Sequence, residues 1–496
     1  MQHGRGAGVW CQGKDLVDRP FRPEQGESDL WEVEALCWYT AAYLTDLMRS
    51  RGETPPPLGF IATPEGGTTV EQWTEFATQA QCANMTCMCS TPHCNQSQPL
   101  DPDICWGNGG LYRANIEPYV NTTIKGWWWW QGENNEGTDG GTVLENTGYA
   151  CAFSKMVAQW RSVWSAAPGT TDPLAPFGFV TIADGTEEGW GLNAGGLHWA
   201  QTANYGQVPN PALPNAFSAL AHDAGDPWDA DGSAGGCGGY QCCVDAYVPL
   251  GAKCVGDHRG EWSINGTGGF MGYLHPRTKD TVARRLAQAT YATVYAPASG
   301  VLASGPVLAG CTVAGTTLTL AFDQARLQGE TVVVSKPPGA QPLALALENT
   351  ATYVLVNSTL DVAAAARNHH GPDPGAYKGT YSAGNELGYD SWVAVLPVAG
   401  PGGNTVTLDL APLRGATPTA VRYAWGAGGW GITAPDNGGC GRMCCGPTVD
   451  CRVQPCPPDS CPIHASGVGG LPAVPFVAAI TATGKCQCLP PQKCDA

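Results

Sequence analysis

The hydrophobic pattern of this chain switches near residue 297, and that switch constrains its fold more than any other feature. Before it, short apolar runs alternate with helical periodicities. LGFIAT at 58–63, IKGWWWWQGE at 124–133, PFGFVTIAD at 176–184 and NAFSALAHD at 215–223 each run into polar or Gly-containing turns, as strands of a buried parallel sheet do. Between and around them, residues 31–52 carry Leu36, Tyr39, Tyr43 and Leu47 near one helical face. Residues 149–166 read as a second helix. Residues 278–296 read as a third, with Val282, Leu286 and Ala289 on one side. Alternation of this kind predicts an α/β layer whose functional groups gather at the carboxyl edge of its strands. After residue 297, TVAGTTLTLAFD, ETVVVSK, ATYVLVN, SWVAVLPV, NTVTLDLA and AVRYAWG are short β-branched segments separated by Gly, Pro and Asn. They predict a β-rich, sandwich-like module. The expected division is an α/β domain at 1–296, interrupted by a Cys-rich insertion at 229–270, and a β-rich C-terminal domain at 297–496 with a Cys-rich tail.

A chain of 496 residues is long enough for two cores, and 43% hydrophobic residues can fill them. The net charge of −17 opposes nucleic acid and anionic lipid as partners. No apolar run reaches the length of a membrane span. The 22 cysteines fall in irregular clusters, some with adjacent members, and five Asn-x-Ser/Thr sequons begin at Asn84, Asn95, Asn121, Asn265 and Asn357. This pattern favours disulfides over zinc and a secretory compartment. Residues 1–30 show no signal peptide. The full-length protein is therefore expected to be secreted or lysosomal/vacuolar, with its N-terminus missing here.

Three segments carry candidate chemistry. In the first, Gln131, Gly132, Glu133 and Asn134 follow a strand, placing an amide, a flexible backbone and a carboxylate at its carboxyl end. Acyl transfer needs such donors around a developing oxyanion, although a tight turn alone would look the same. In the second, Gly66 and Gly67 follow LGFIAT and precede a helical stretch, where backbone N–H groups are available to an anion. In the third, His275 lies in LHPRTK just before a helix, suited to a general base. Its carboxylate partner has three candidates: Asp223 and Asp226 in HDAGD, and Glu133. No Gly-x-Ser-x-Gly elbow occurs.

Together these segments resemble the sialate O-acetylesterase family of SGNH-type hydrolases. The resemblance runs from EALCWYTAAYLTDL through IATPEGGTTVEQW, IKGWWWWQGENN, HWAQTANYGQVPNPALPNAF and LHPRTKDTVARRLA to LPAVPFVAAI. It implies an SGNH-like parallel-sheet domain and His275 as general base. It implies Gly66, Gly67 and Gln131 as oxyanion-hole contributors, and Glu133 and Asp226 as the acidic members of the site. It implies substrate contacts from Asn134 and from His198, which stands where the family often has Arg. The family's Gly-Gln-Ser-Asn nucleophile segment does not occur in these residues, and the resemblance places it upstream of Met1. Gly272 stands three residues before His275, where such enzymes often have Asp, and Glu65 replaces an aromatic residue before the Gly pair. The implied activity is removal of O-acetyl groups from sugars by a monomer that needs no metal or organic cofactor. The alternative is a catalytically inactive glycan-binding relic of the same fold. A zinc protein using Cys440–Cys461 and His464 ranks below both.

Overall fold

The computed structural model describes residues 35–82, 108–136, 148–183, 194–224, 254–256, 262–264, 279–335, 352–356, 392–424, 462–467 and 470–488. Its first sheet has three parallel strands, β1 Trp127–Trp130, β2 Phe177–Val180 and β3 Ala216–Ala219, in the order β1-β2-β3. Parallel neighbours need long crossovers and cover on both faces. Four helices provide them: α1 Ala35–Ser50, α2 Gly148–Trp164, α3 Ala194–Gln201 and α4 Lys279–Thr290.

The four tryptophans of β1 show why both faces must be covered, since successive side chains point to opposite sides of a strand. Trp127 and Trp129 meet α2, where Trp160 lies edge-on to Trp129 and Trp164 edge-on to Trp127. Trp128 and Trp130 face the other way. Phe60 stacks on Trp128, whose Nε1 donates to Thr290 at 3.1 Å, and the Lys279 ammonium sits 4.4 Å from the Trp130 ring centre. On the α2 side Phe153, Phe177 and Phe179 are fully buried, each contributing roughly 1.5–3 kcal/mol of apolar burial. On the other side Val282, Leu286 and Ala289 of α4 pack on Val180, Phe217 and Ala219, as the helical pattern of α4 predicts.

Two sequence expectations are corrected here. The buried face of α1 is Leu36, Thr40, Leu44 and Met48, one residue round from the expected stripe. Tyr39 is largely exposed, and the Tyr43 hydroxyl bonds Asp280 while the Arg284 guanidinium lies over its ring at 3.9 Å. The tyrosines keep their polar ends at the rim of the α1–α4 contact, and slimmer side chains fill it. The segment 58–63 is not a strand. It follows Pro55–Pro57, which cannot donate to a ladder, and its apolar residues are used otherwise: Leu58 packs beside Leu44 and Met48, and Phe60 covers Trp128.

Beyond residue 300 the expected β-segments form antiparallel sheets. In one, neighbouring strands run in the order Trp392–Ala394, Thr352–Val356, Pro418–Tyr423, Phe476–Ile480 and Cys486–Cys488. In the other the order is Pro397–Ala399, Thr405–Asp409, Thr317–Phe322 and Leu308–Ala314. Alternate residues of the strands Thr317–Phe322 and Thr405–Asp409 (Leu318, Leu320, Phe322, Val406, Leu408) join Val354, Val421 and Phe476 of the other antiparallel sheet in one core. That is sandwich packing. His464 belongs to this region and makes short contacts with Ser335 Oγ and the Ala465 carbonyl; Cys440–Cys461 lie outside the described residues. Leu220, Val307 and Val474 join the sandwich to the end of β3, and Arg326 donates to the Val208 carbonyl at 3.1 Å.

Two disulfides have both of their cysteines among the described residues. Cys82–Cys151 ties the region after the Gly66–Gly67 turn to α2, and Cys311–Cys486 ties the strand Leu308–Ala314 to the strand Cys486–Cys488 across the sandwich. They support the disulfide reading for these four cysteines. The first closes a loop of 69 residues, for which chain entropy gives about 4 kcal/mol. Replacing Cys82 and Cys151 together by alanine is expected to lower unfolding stability by roughly 2–5 kcal/mol, read from denaturant midpoints. A loss under about 0.5 kcal/mol would show that the α2 contact does not depend on the bridge.

Candidate functional site

Each parallel strand ends by turning polar groups toward the same edge. β1 runs into Gln131, β2 into Thr181 and Ile182, and β3 into His222 and Asp223. The best-connected of these is Gln131, only 6% exposed. Its Nε2 donates to the Thr68 carbonyl at 2.9 Å and to Asn135 Oδ1 at 2.7 Å. Its Oε1 accepts from the Tyr149 hydroxyl at 3.0 Å, and its backbone carbonyl accepts from Gln201 Nε2, also at 3.0 Å. Burial pushes the Tyr149 phenol well above its ordinary range, so it stays a donor. Asn135 extends the brace: its Oδ1 also accepts from the Val70 N–H at 2.8 Å, and its Nδ2 donates to Glu71 at 3.0 Å.

The consequence is local order at the preceding turn. Thr68, Thr69 and Val70 continue directly from Gly66 and Gly67, and Thr68 also accepts a bond from Trp73 Nε1 at 3.0 Å. The exposed glycine pair is thereby fastened to the end of β1. Gly67 has φ +69°, and a Cβ there would lie 3.9 Å from Asn134 Nδ2, so the turn and the residues after β1 share one mouth. Glu133 and Asn134 are half-buried at that mouth. Gly132 (φ +148°) backs it, and a Cβ there would fall 2.9 Å from Ile182 Cγ2.

Among the sequence candidates, the structure thus brings together Gly66, Gly67, Gln131, Glu133 and Asn134. Both N–H groups of Gln131 are already engaged, so the side chain fixes the turn. Donation to an oxyanion would require it to exchange one of those bonds. His198 is placed behind the mouth, 4% exposed; its Nε2 donates to the Ile182 carbonyl at 2.7 Å, while Gln201 Oε1 accepts from the Ile182 N–H. Asp223 is held in a bidentate pair by Arg285, with Nη2–Oδ2 at 2.6 Å and both side chains buried. His275 and Asp226 lie outside the described residues.

Several participants were not singled out from sequence: Asn135, Glu71, Tyr149, Gln201, His222 and Arg285. Only Asn135 had a usable signal, standing four residues after Gln131 where a one-turn helix brings the two amides together. Among the described residues no three His, Cys, Asp or Glu side chains converge as a metal site, and no helix is long and apolar enough to cross a membrane.

No family model matches the chain. It is 28% identical to a sialate O-acetylesterase of Rattus norvegicus over 246 residues, 43% of this chain and 42% of that protein. The proteins of the same name from Pongo abelii and Homo sapiens are 30% identical over 215 residues, 42% of this chain and 36% of each. The chain thus matches well under half the length of these relatives. Among solved structures, a carbohydrate acetylesterase from Xanthomonas citri aligns with TM-score 0.49 and 20% identity, over 89% of this chain and 65% of that one.

Two outcomes test the edge itself. Asn135→Ala removes two acceptor bonds and the donor to Glu71 in a buried setting. It is expected to cost roughly 2–4 kcal/mol in a denaturant titration. A loss within experimental error would mean that the turn does not depend on the brace. The second concerns pH. Burial lowers His198 to about 4, below the ordinary 6.5 of the unfolded chain. Between these values the unfolded state binds more protons, so stability rises with pH and is lost on acidification, by about 3 kcal/mol at pH 4. His198→Gln keeps a donor for Ile182 without a titrating group. Its loss between pH 7 and 4 is expected to be smaller by that amount; an identical pH profile would contradict the buried neutral imidazole.

Proposed function

Taking kinship with the sialate O-acetylesterases as the premise, we propose that this chain is the larger part of a carbohydrate O-acetylesterase. The observation that carries the proposal is the braced turn. Gln131 and Asn135, at the carboxyl end of a parallel strand, hold the residues directly after an exposed glycine pair. Backbone N–H groups preorganised in this way stabilise the oxyanion of an acyl-transfer intermediate. In the proposed mechanism a serine from a Gly-Gln-Ser-Asn segment upstream of Met1 attacks the acetyl carbonyl. His275 takes the serine proton and delivers it to the sugar oxygen, and water then releases acetate from the acetyl-enzyme. Glu133 or Asp226 orients the imidazole, since Asp223 is already paired with Arg285. Gly66 and Gly67 serve the oxyanion through their N–H groups, with Gln131 as their support, and Asn134 contacts the sugar. The substrate is an O-acetylated sugar or glycan, sialate being the relatives' namesake. The disulfide Cys82–Cys151 fits a secreted or lysosomal/vacuolar setting for the full-length protein.

The test is acetate release from O-acetylated sugars by the full-length gene product, read beside its His275→Asn variant. A general base contributes on the order of 10²–10⁴-fold, so His275→Asn should lower kcat by that factor with little change in KM. Unchanged turnover in His275→Asn would refute the assignment of the base. Binding of acetylated sugar without any acetate release, from protein that carries the upstream serine segment, would favour the glycan-binding relic.

A further inference from the structure

Behind the mouth lies a second buried imidazole, His222. It is fully buried, and neither ring nitrogen has a hydrogen-bond partner among the described residues. Buried polar atoms in folded proteins are nearly always satisfied, so an orphaned imidazole requires a reason. His198, also buried, stands with its ring centre 5.9 Å away and is anchored through Nε2 to the Ile182 carbonyl. The charged and titratable groups around the pair come from several elements. α3 contributes His198 itself. α4 contributes Arg285, whose charge bears on His222, and the β3 edge contributes Asp223, paired with that arginine. From the sandwich, Arg326 lines the cleft at His198, and Tyr423 lies near Asp223. A metal ion fits this setting poorly: two imidazoles converge with no third His, Cys or carboxylate among the described residues, and a guanidinium is close by.

We propose that His198 and His222 form an acid-sensitive latch, which keeps the carboxyl edge of β2 and β3 closed while both rings are neutral and lets it open locally and reversibly when they take up protons. The closed edge excludes the imidazolium form. Burial, then the neighbouring ring and Arg285, push His222 well below its ordinary value, and burial pushes His198 down to about 4. An open edge restores values near 6.5. Between these limits the open state binds more protons, so each imidazole multiplies the opening constant by up to about tenfold per pH unit, and the pair by up to about a hundredfold. Opening also reaches the mouth, because Ile182, held by His198, is bonded to Gln201, which holds the Gln131 carbonyl. The latch is a property of the sheet edge and stands whether or not that edge hydrolyses esters.

The experiment uses the full chain with ¹⁵N-labelled histidine. Imidazole signals are followed by NMR, with His198→Gln and His222→Phe for assignment. Exchange of the amides at 181–183 and 221–224, corrected for intrinsic rate, is measured at pH 7 and pH 5. The expected result is neutral rings at 198 and 222 in the closed protein at pH 6, with an opening constant that rises up to about five-hundredfold between pH 7 and 5, about twenty-fivefold from each ring. His222→Phe fills the same space without titrating and should leave a smaller rise; the double variant should leave none. An equal rise in the double variant, or an imidazole at 222 that titrates near 6.5 while the edge stays protected, would overturn the latch. If the variants do not fold, the wild-type titration decides alone.

Discussion

A buried primary amide must satisfy two donors and an acceptor, and leaving any of them unmet costs roughly 1–3 kcal/mol. Gln131 meets all three demands with groups that lie far apart in sequence: Thr68, 63 residues before it, Asn135 one turn after it, and Tyr149 on α2. The rest of the site depends on this side chain. It ties an otherwise irregular segment, without sheet partners of its own, to the end of β1. It also gives Asn135 the position from which the Val70 N–H and the Glu71 carboxylate are reached. Each bond adds only about 1 kcal/mol net when made, yet costs more when broken. A network of this kind therefore defines one geometry more than it adds stability.

The same edge continues across the sheet by other means. Gln201 and His198, one turn apart on α3, hold the N–H and the carbonyl of Ile182, and Gln201 also reaches back to Gln131. At the far side Arg285 brings α4 onto the end of β3 through Asp223 and the Leu220 carbonyl. α4, which carries Arg285, starts four residues after His275 in the sequence. A buried pair is weak evidence for net stability but strong evidence for fixed placement, because losing either partner strands a charge.

Much of the framework was legible in the sequence. The three parallel strands, α2 and α4 follow from apolar runs and helical periodicity, and the β-segments beyond residue 300 from β-branched alternation. Gly66, Gly67 and Gln131 stand out in the sequence because each follows an apolar run where the chain turns polar, a position that a plain turn would share. Other features were hidden because periodicity reports which face is buried and says nothing of which partner lies across it. The face of α1 turned by one residue because Tyr43 found Asp280 and Arg284. The run 58–63 had strand composition, but its apolar side chains cover Trp128 and pack beside α1. Asn134 drew notice where Asn135 makes the bonds, since two adjacent identical residues differ only in the direction they face. Asp223 is a candidate partner for His275 in the sequence, where nothing marks its pairing with Arg285, 62 residues on.

The central claim is that an acetylated sugar meets this protein at the turn braced by Gln131. Backbone ¹⁵N shifts during titration with an O-acetylated sugar test it most directly, since binding needs no nucleophile. The account predicts perturbations centred on Gly66, Gly67 and Asn134 that are lost when the same sugar is de-acetylated. Perturbations confined to the β-sandwich, with those three amides unmoved, would contradict it.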